Sequence, residues 1–285
     1  MPRPEVIYSP SGRTVSLKPA VMGIINGTPD SFYAPSRADY TQGVALAKKM
    51  IQDGADILDI GGESSRPGSS YISADEELGR ILPLIKTIRD FSQIPISVDT
   101  RKASVAQAAF EAGADWINDI SALQDDPELG KFAAQSGMPV VLMHMRGDPK
   151  TMQQRTTYEN PLDEVSTFLL ERVKFALACG ISLDKIILDP GIGFGKNLKV
   201  NLRLLSSVDK LPREFPILVG LSRKSFIHDL SPSSVEDRLG GSLAGALWAA
   251  KQGAGILRVH DVHQTVQALR VWAELKKESA QWNGF

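Results

Sequence analysis

The sequence predicts an α/β fold, a (β/α)₈ TIM barrel, on three observations. Short runs rich in Ile, Val and Leu alternate about eight times with amphipathic stretches. Most of the runs are continuously apolar, as strands buried on both faces of a parallel sheet are. Gly54, Gly113, Gly137, Gly180 and Gly253 each follow a helical stretch and precede a strand, the place of a helix C-cap. The 285 residues suit one such barrel, which typically needs about 250.

Taken in order, Val6–Leu17 reads as a β-hairpin turning at Ser11-Gly12 and capping the barrel bottom. The eight strand runs follow at Ala20–Asn26, Asp56–Gly61, Pro95–Asp99, Trp116–Ile120, Pro139–Met145, Ile186–Asp189, Pro216–Ser222 and Ile256–Asp261. Between them, Val44, Ala47 and Ile51 share a helical face, as do Leu78, Ile81, Leu82 and Ile85. Val262, Val266, Leu269 and Ala273 do the same near the end. No linker, low-complexity segment or charge block interrupts the chain, so residues 1–285 read as one domain. An open doubly wound sheet is the other candidate. It would carry a Gly-rich turn after the first strand, and Asn26-Gly27-Thr28-Pro29 is not one.

Composition narrows the function. Lys and Arg total 32 and Asp and Glu 33, a formal net charge of −1, which argues against nucleic acid or an anionic membrane as partner. The one cysteine, Cys179, excludes a disulfide framework and a cysteine zinc site within the chain. Met1 to Gly12 carries three prolines and no apolar core, so it does not read as a signal peptide. The apolar stretch at Leu243–Ala250 is far shorter than the roughly 20 residues of a membrane span. The cytoplasm is the expected location.

Barrel enzymes carry their chemistry at the C-terminal ends of strands. There this sequence has Asn26, Asp59, Glu63, Asp99, Asn118, Asp189, Lys224, Arg258 and His260. Single Asp or Asn residues often end strands as turn formers or helix caps. So many on different strands argue for a site. Strand alternation puts Arg258 and His260 on one face with Ile256, and Ser222 with Lys224, while Arg223 points away. Asp99, Asn118, Asp189 and Lys224 would then suit a flat heterocycle presenting several N–H donors, such as an amino-pyrimidinone. A buried Asp–Lys ion pair that only holds the barrel is the competing reading. Arg66, Arg258 and His260, with the amide of Asn26, suit a diphosphate.

Other motifs fail. The run Asp189-Pro190-Gly191-Ile192-Gly193-Phe194-Gly195-Lys196 matches neither phosphate-loop template, and its glycines read as allowing a tight turn with close backbone approach to a ligand. Gly220-Leu221-Ser222-Arg223-Lys224 lacks the second glycine of a nucleophile elbow. His144 and His228 read as structural or surface residues.

In this setting the chain resembles the dihydropteroate synthases from its first strand to its last. The resemblance rests on Met22-Gly23-Ile24-Ile25-Asn26, Thr28-Pro29-Asp30-Ser31-Phe32, Asp59-Ile60-Gly61-Gly62-Glu63-Ser64, Ser97-Val98-Asp99-Thr100 and Ile117-Asn118-Asp119-Ile120. It continues through Leu142-Met143-His144-Met145, the Asp189–Lys196 run, Ser222-Arg223-Lys224-Ser225-Phe226 and Arg258-Val259-His260-Asp261. It implies condensation of 6-hydroxymethyl-7,8-dihydropterin diphosphate with p-aminobenzoate, releasing diphosphate, in a sulfonamide-sensitive step of folate synthesis. It implies that Asp99, Asn118, Met143, Asp189, Phe194 and Lys224 bind the pterin, with Arg258 stacked on the ring. Asn26, Arg66, Arg258 and His260 would hold the diphosphate, Mg²⁺ bridging it to Asn26. Phe32, Ser65, Pro67, Phe194 and Ser225 would frame p-aminobenzoate. Asn26, Arg66, Lys224, Arg258 and His260 would carry the chemistry, and the protein would be a homodimer.

Two loops depart from the family pattern. Tyr33-Ala34-Pro35-Ser36 replaces the usual Ser-Asp-Gly-Gly of the first loop, Gly27 replaces Val, and Ser65 replaces Thr. Two other functions compete: a methyltetrahydrofolate–corrinoid methyltransferase, which has little use for the basic cluster, and a catalytically silent pterin-binding paralogue.

Overall fold

The computed structural model describes residues 3–27 and 37–282. It opens with a hairpin of β1 (Val6–Tyr8) and β2 (Thr14–Ser16). The repeating part runs β3 (Ala20–Asn26), α1 (Arg37–Gln52), β4 (Ile57–Gly61), α2 (Ala74–Phe91), β5 (Ile96–Asp99), α3 (Ala103–Glu111), β6 (Trp116–Asp119) and α4 (Pro127–Ser136). It continues with β7 (Val140–Met143), α5 (Pro161–Ala178), β8 (Ile186–Asp189), α6 (Leu198–Leu205) and β9 (Leu218–Gly220). The last part is α7 (Ser225–Leu230), α8 (Leu239–Lys251), β10 (Ile256–Val259) and α9 (Val262–Trp282).

All eight expected runs form parallel strands, in the order β8-β7-β6-β5-β4-β3-β10-β9. The two ends of that sheet meet: Leu188 bridges Ile217 in parallel, and the Leu188 amide donates to Pro216 O at 3.0 Å. The sheet is therefore a closed barrel. Alternation along the strands separates two apolar layers. Leu58, Ile60, Val98, Ile117, Leu142, Leu188, Val219, Leu257 and Val259 face the helices. Met22, Ile57, Trp116, Val141, Ile187, Leu218 and Ile256 fill the lower interior.

The hairpin closes that lower end. Ile7 and Val15, opposite each other in its register, are buried in the same interior cluster. Trp116 Nε1 donates to Ser9 Oγ at 3.0 Å. Asp115, wholly buried, accepts from Arg13 at 2.9 Å and from Arg89 at 2.6 Å, tying the hairpin to α2. The five expected C-cap glycines all have positive φ, between 69° and 106°, where a side chain would be strained. With the bottom plugged, the interior is open to polar groups only at the upper ends of the strands.

Candidate active site

One residue higher on the inward face, the strands change from apolar to polar. Asp59 on β4, Asp99 on β5, Asn118 on β6, Asp189 on β8 and Arg258 on β10 point into the barrel above the interior cluster. Gly220 on β9, opposite Arg258 in the register, leaves room for the long side chains on either side of it. A Cβ there would lie 3.7 Å from Arg258 Cβ and 3.9 Å from Lys224 Nζ.

Arg258 organises this layer. Its Nε donates to Asp59 Oδ2 at 2.6 Å and its Nη2 to Asp99 Oδ2 at 2.8 Å. Asn118 Nδ2 donates to the same Asp59 oxygen at 3.1 Å. The guanidinium thus lies down into the pocket, across the acidic groups, rather than toward the mouth where strand alternation alone would send it. Asp59, not assigned a ligand from sequence, is its main anchor. Burial pushes the Asp99 carboxyl up to about 7, against the pull of Arg258. Burial likewise raises Asp189, whose Oδ1 accepts from the Gly191 amide at 2.7 Å.

Lys224 stands on the other side. Its Nζ donates to Ile192 O and sits 4.7 Å from the Phe194 ring centre. Burial lowers it to about 8, with Asp189 opposing. Among the described residues it makes no ion pair within 4.0 Å, so the simple Asp189–Lys224 pair considered from sequence does not form in this structure. Met143 is buried with Ile120, Met145 and Met152, and Phe194 packs on that group, giving one apolar wall. Acceptors, a cation and an apolar wall thus surround one space.

The second cluster lies at the rim. His260 accepts or donates at Nδ1 to Ser222 Oγ, 3.1 Å away, and its amide donates to the same oxygen at 3.3 Å. Burial drives its pKa down to about 4, with Arg258, Arg223 and Arg66 adding to the effect, so it is a neutral hydrogen-bonding imidazole at pH 7. Arg66 and Pro67 are exposed on the loop after β4, and Ser65 is half-buried there. A small recess lined by Ser65, Asp99, Thr100 and Ile120 links that loop to the acidic pocket. Ser225 is exposed at the first residue of α7, beside Lys224. Arg223 points away as expected and grips Asp261 from outside the pocket. Asn26 ends β3, paired with Gly61. Phe32 and Tyr33–Ser36 lie outside the described residues. Gly27 is described: a Cβ there would make only ordinary contacts, at 3.5 Å, so local packing does not demand glycine.

The glycine run after β8 forms the expected tight turn, and it is fixed by contacts within the protein. Gly191, Gly193 and Gly195 all have positive φ, so the turn is tight. Their close neighbours, however, are protein. A Cβ on Gly191 would come within 2.0 Å of His144 O, and one on Gly193 within 3.1 Å of Lys224. Lys196, buried beneath the turn, donates to Gly191 O and Phe194 O, each at 2.9 Å, and meets His144 Nδ1 at 2.8 Å. His144 is structural: burial, then Lys196, hold it neutral, down to about 2. The turn is thereby fixed so that Phe194 forms the wall and Ile192 O meets Lys224.

Known proteins share this fold. Residues 22–260 match the pterin binding enzyme family. The dihydropteroate synthase of Escherichia coli (strain K12) is 46% identical over 255 residues, covering 89% of this chain and 90% of the relative. That of Bacillus subtilis (strain 168) is 41% identical, covering 94% and 92%. Among solved structures, the Yersinia pestis dihydropteroate synthase in a sulfonamide drug complex superimposes with a TM-score of 0.90 at 41% identity, covering 95% of this chain and 99% of that one. The Xanthomonas albilineans enzyme in complex with 7,8-dihydropteroate gives 0.85 at 40% identity, covering 93% and 97%. This chain belongs to the pterin binding enzyme family, among the dihydropteroate synthases.

Proposed function

We propose that the chain joins 6-hydroxymethyl-7,8-dihydropterin diphosphate to p-aminobenzoate and releases diphosphate. The observation that carries this is a pocket of acids and an amide, crossed by the Arg258 guanidinium, directly beneath a rim that bears His260 and Arg66. Asp99, Asn118 and Asp189 offer acceptors to the N–H edge of a pterin, and Lys224 offers a donor to its ring carbonyl or nitrogen. Met143 and Phe194 flank the ring. Ring N–H donors replace Arg258 at Asp99, which frees the guanidinium to lie on the ring and reach the diphosphate. Arg66, His260 and Asn26 complete the diphosphate site. Ser65, Pro67, Phe194 and Ser225 frame p-aminobenzoate, together with Phe32.

The chemistry asks for little acid or base. The leaving diphosphate departs from a carbon attached to an electron-rich ring, and the positive charge spreads into that ring. Arg258 and Arg66 stabilise the departing anion, and the neutral His260 donates a hydrogen bond to it. The arylamine attacks as the neutral species, held in line by the loop after β4.

Mg²⁺ is proposed as the cofactor. Among the described residues no three His, Cys, Asp or Glu side chains gather into a metal site. A lone amide oxygen, that of Asn26, nevertheless suits a hard ion that keeps waters and binds mainly through phosphate oxygens. When bound, Mg²⁺ would neutralise charge on the leaving diphosphate. Homodimerisation is proposed through the face that exposes Trp248 on α8 and Val271 and Leu275 on α9. Sedimentation should give twice the 31.0 kDa of the chain, and a single-chain mass at micromolar concentration would overturn it. No described helix is long and apolar enough to cross a membrane. The proposed location is the cytoplasm, where the charged pterin diphosphate is confined.

Purified protein supplied with both substrates and Mg²⁺ should form 7,8-dihydropteroate and diphosphate in equal amounts. Pterin binding without diphosphate release would instead support a silent paralogue. The two titrating groups add a pH signature. Asp99 accepts pterin donors only when ionised, so kcat/KM should rise as pH climbs through about 7. Lys224 loses its charge above about 8, so the profile should fall there. Asp99→Asn should abolish the rising limb, and a profile unchanged in that variant would refute the assignment.

A further inference from the structure

The loop after β4 carries Ser65, Arg66 and Pro67, and both its ends close on one pair of cations. At its start, Glu63 accepts from Arg101 Nη2 and, at 2.6 Å, from Lys102 Nζ. At its end, the Tyr71 ring centre lies 4.8 Å from the Arg101 guanidinium and 4.0 Å from the Lys102 ammonium. The Ile72 amide reaches back to Glu63 Oε2 at 3.5 Å. Arg101 and Lys102 are themselves buried and fixed. Lys102 Nζ is 2.6 Å from Glu77 Oε2 on α2, and Arg101 Nη1 is 2.5 Å from Asp125 in the loop before α4. The two adjacent cations follow Asp99 in sequence, Thr100 standing between it and Arg101.

Within the loop the bonds are few, and one of them ties its middle to the segment after β7. Ser69 Oγ donates to Ser64 O at 2.6 Å, and the Gly68 amide donates to Pro149 O at 3.0 Å. The shape of the loop is therefore set mainly at its two ends. Buried ion pairs are a weak source of net stability, because desolvation offsets their attraction. Five charged groups gathered under one short loop are better explained by what they hold in place.

We propose that Arg101 and Lys102, closed by Glu63 and Tyr71, are positioning residues for the amine substrate. They hold residues 64–70 so that Ser65 and Arg66 meet p-aminobenzoate and the diphosphate, and they leave the pterin pocket unchanged. The assignment of p-aminobenzoate to this loop rests on the function proposed above. The strand carrying Asp99 thereby sets the loop that receives the second substrate.

Tyr71 is 60% exposed, so its replacement opens no core. Tyr71→Ala should raise KM for p-aminobenzoate about fivefold, since the ring contributes its cation contacts, and Tyr71→Phe should restore it. Arg101→Gln should raise that KM about tenfold, because Glu63 and Asp125 both lose a charged donor. The Kd for the hydroxymethyl dihydropterin without its diphosphate, by calorimetry, should stay within about twofold in Tyr71→Ala. Amide exchange at residues 64–72 should quicken in Tyr71→Ala and Arg101→Gln and remain unchanged in Tyr71→Phe. An unchanged KM in Tyr71→Ala and Arg101→Gln, or pterin binding lost along with p-aminobenzoate, would overturn the proposal. Failure of the unaltered protein to make dihydropteroate would remove the proposed reaction instead. Amide exchange would then decide the clasp by itself, with slow exchange retained in both weakened variants ending it.

Discussion

Arg258→Ala should lower kcat by roughly 100- to 1000-fold, the loss seen when one preorganised donor to a developing anion is removed. The side chain is 18% exposed and touches two carboxylates that are 0% and 10% exposed. The structure adds a cost, because Asp59 and Asp99 would be left buried without their cation. Breaking such a pair typically costs about 3–5 kcal/mol, which at this size lowers Tm by roughly 6–15 °C. Arg258→Lys should recover part of the Tm but little of the kcat, because an ammonium cannot fork between two carboxylates or match two phosphate oxygens. Assayed side by side, a normal kcat in Arg258→Ala would remove Arg258 from the chemistry. An unchanged Tm would remove it from the network.

Lys224→Met should separate binding from stability. The ammonium makes no ion pair within 4.0 Å among the described residues and carries an unfavourable burial, which lowers its pKa to about 8. A methionine of similar length can occupy the groove beside Phe194 and Gly220, so Tm should hold or rise slightly. The pterin loses a charge-assisted hydrogen bond, worth about 1.5–3 kcal/mol, so its Kd should weaken by roughly 10- to 100-fold. The falling limb of the pH profile should disappear with it. If Tm collapsed while pterin affinity survived, Lys224 would be a structural residue and the competing reading from sequence would be restored.

Much of the barrel was legible because its strands are buried on both faces. That burial demands unbroken apolar runs, and all eight were found. Their ends were less legible. Pro216–Ser222 is regular strand only over Leu218–Gly220, with Ile217 adding a single bridge, and Pro139–Met145 only over Val140–Met143. The inward placement of Arg258 followed from alternation, whereas Lys224 is placed by a turn at Ser222-Arg223, with Arg223 at φ 58°, beyond the end of the strand. The direction of the Arg258 guanidinium did not follow from alternation, because it depends on Asp59, a residue 199 positions away. The Glu63–Arg101–Lys102–Glu77 group was illegible for the same reason. Charges on separate loops and a helix carry no shared periodic signal, and only the fold brings them together. Lys196 was read as part of a glycine run near a ligand. Its four acceptors lie on the chain itself, and no spacing rule reveals that. His260 reads as basic by residue type, yet burial beside arginines makes it neutral.

That one guanidinium serves both halves of the site is tested most directly by titrating the halves separately. The hydroxymethyl dihydropterin without its diphosphate, and inorganic diphosphate with Mg²⁺, would each be measured by calorimetry against the unaltered protein and Arg258→Ala. Both affinities should weaken by about tenfold or more, as expected when a charged donor is lost from each ligand. Weakening of one ligand with the other untouched would contradict the shared role and assign Arg258 to a single pocket.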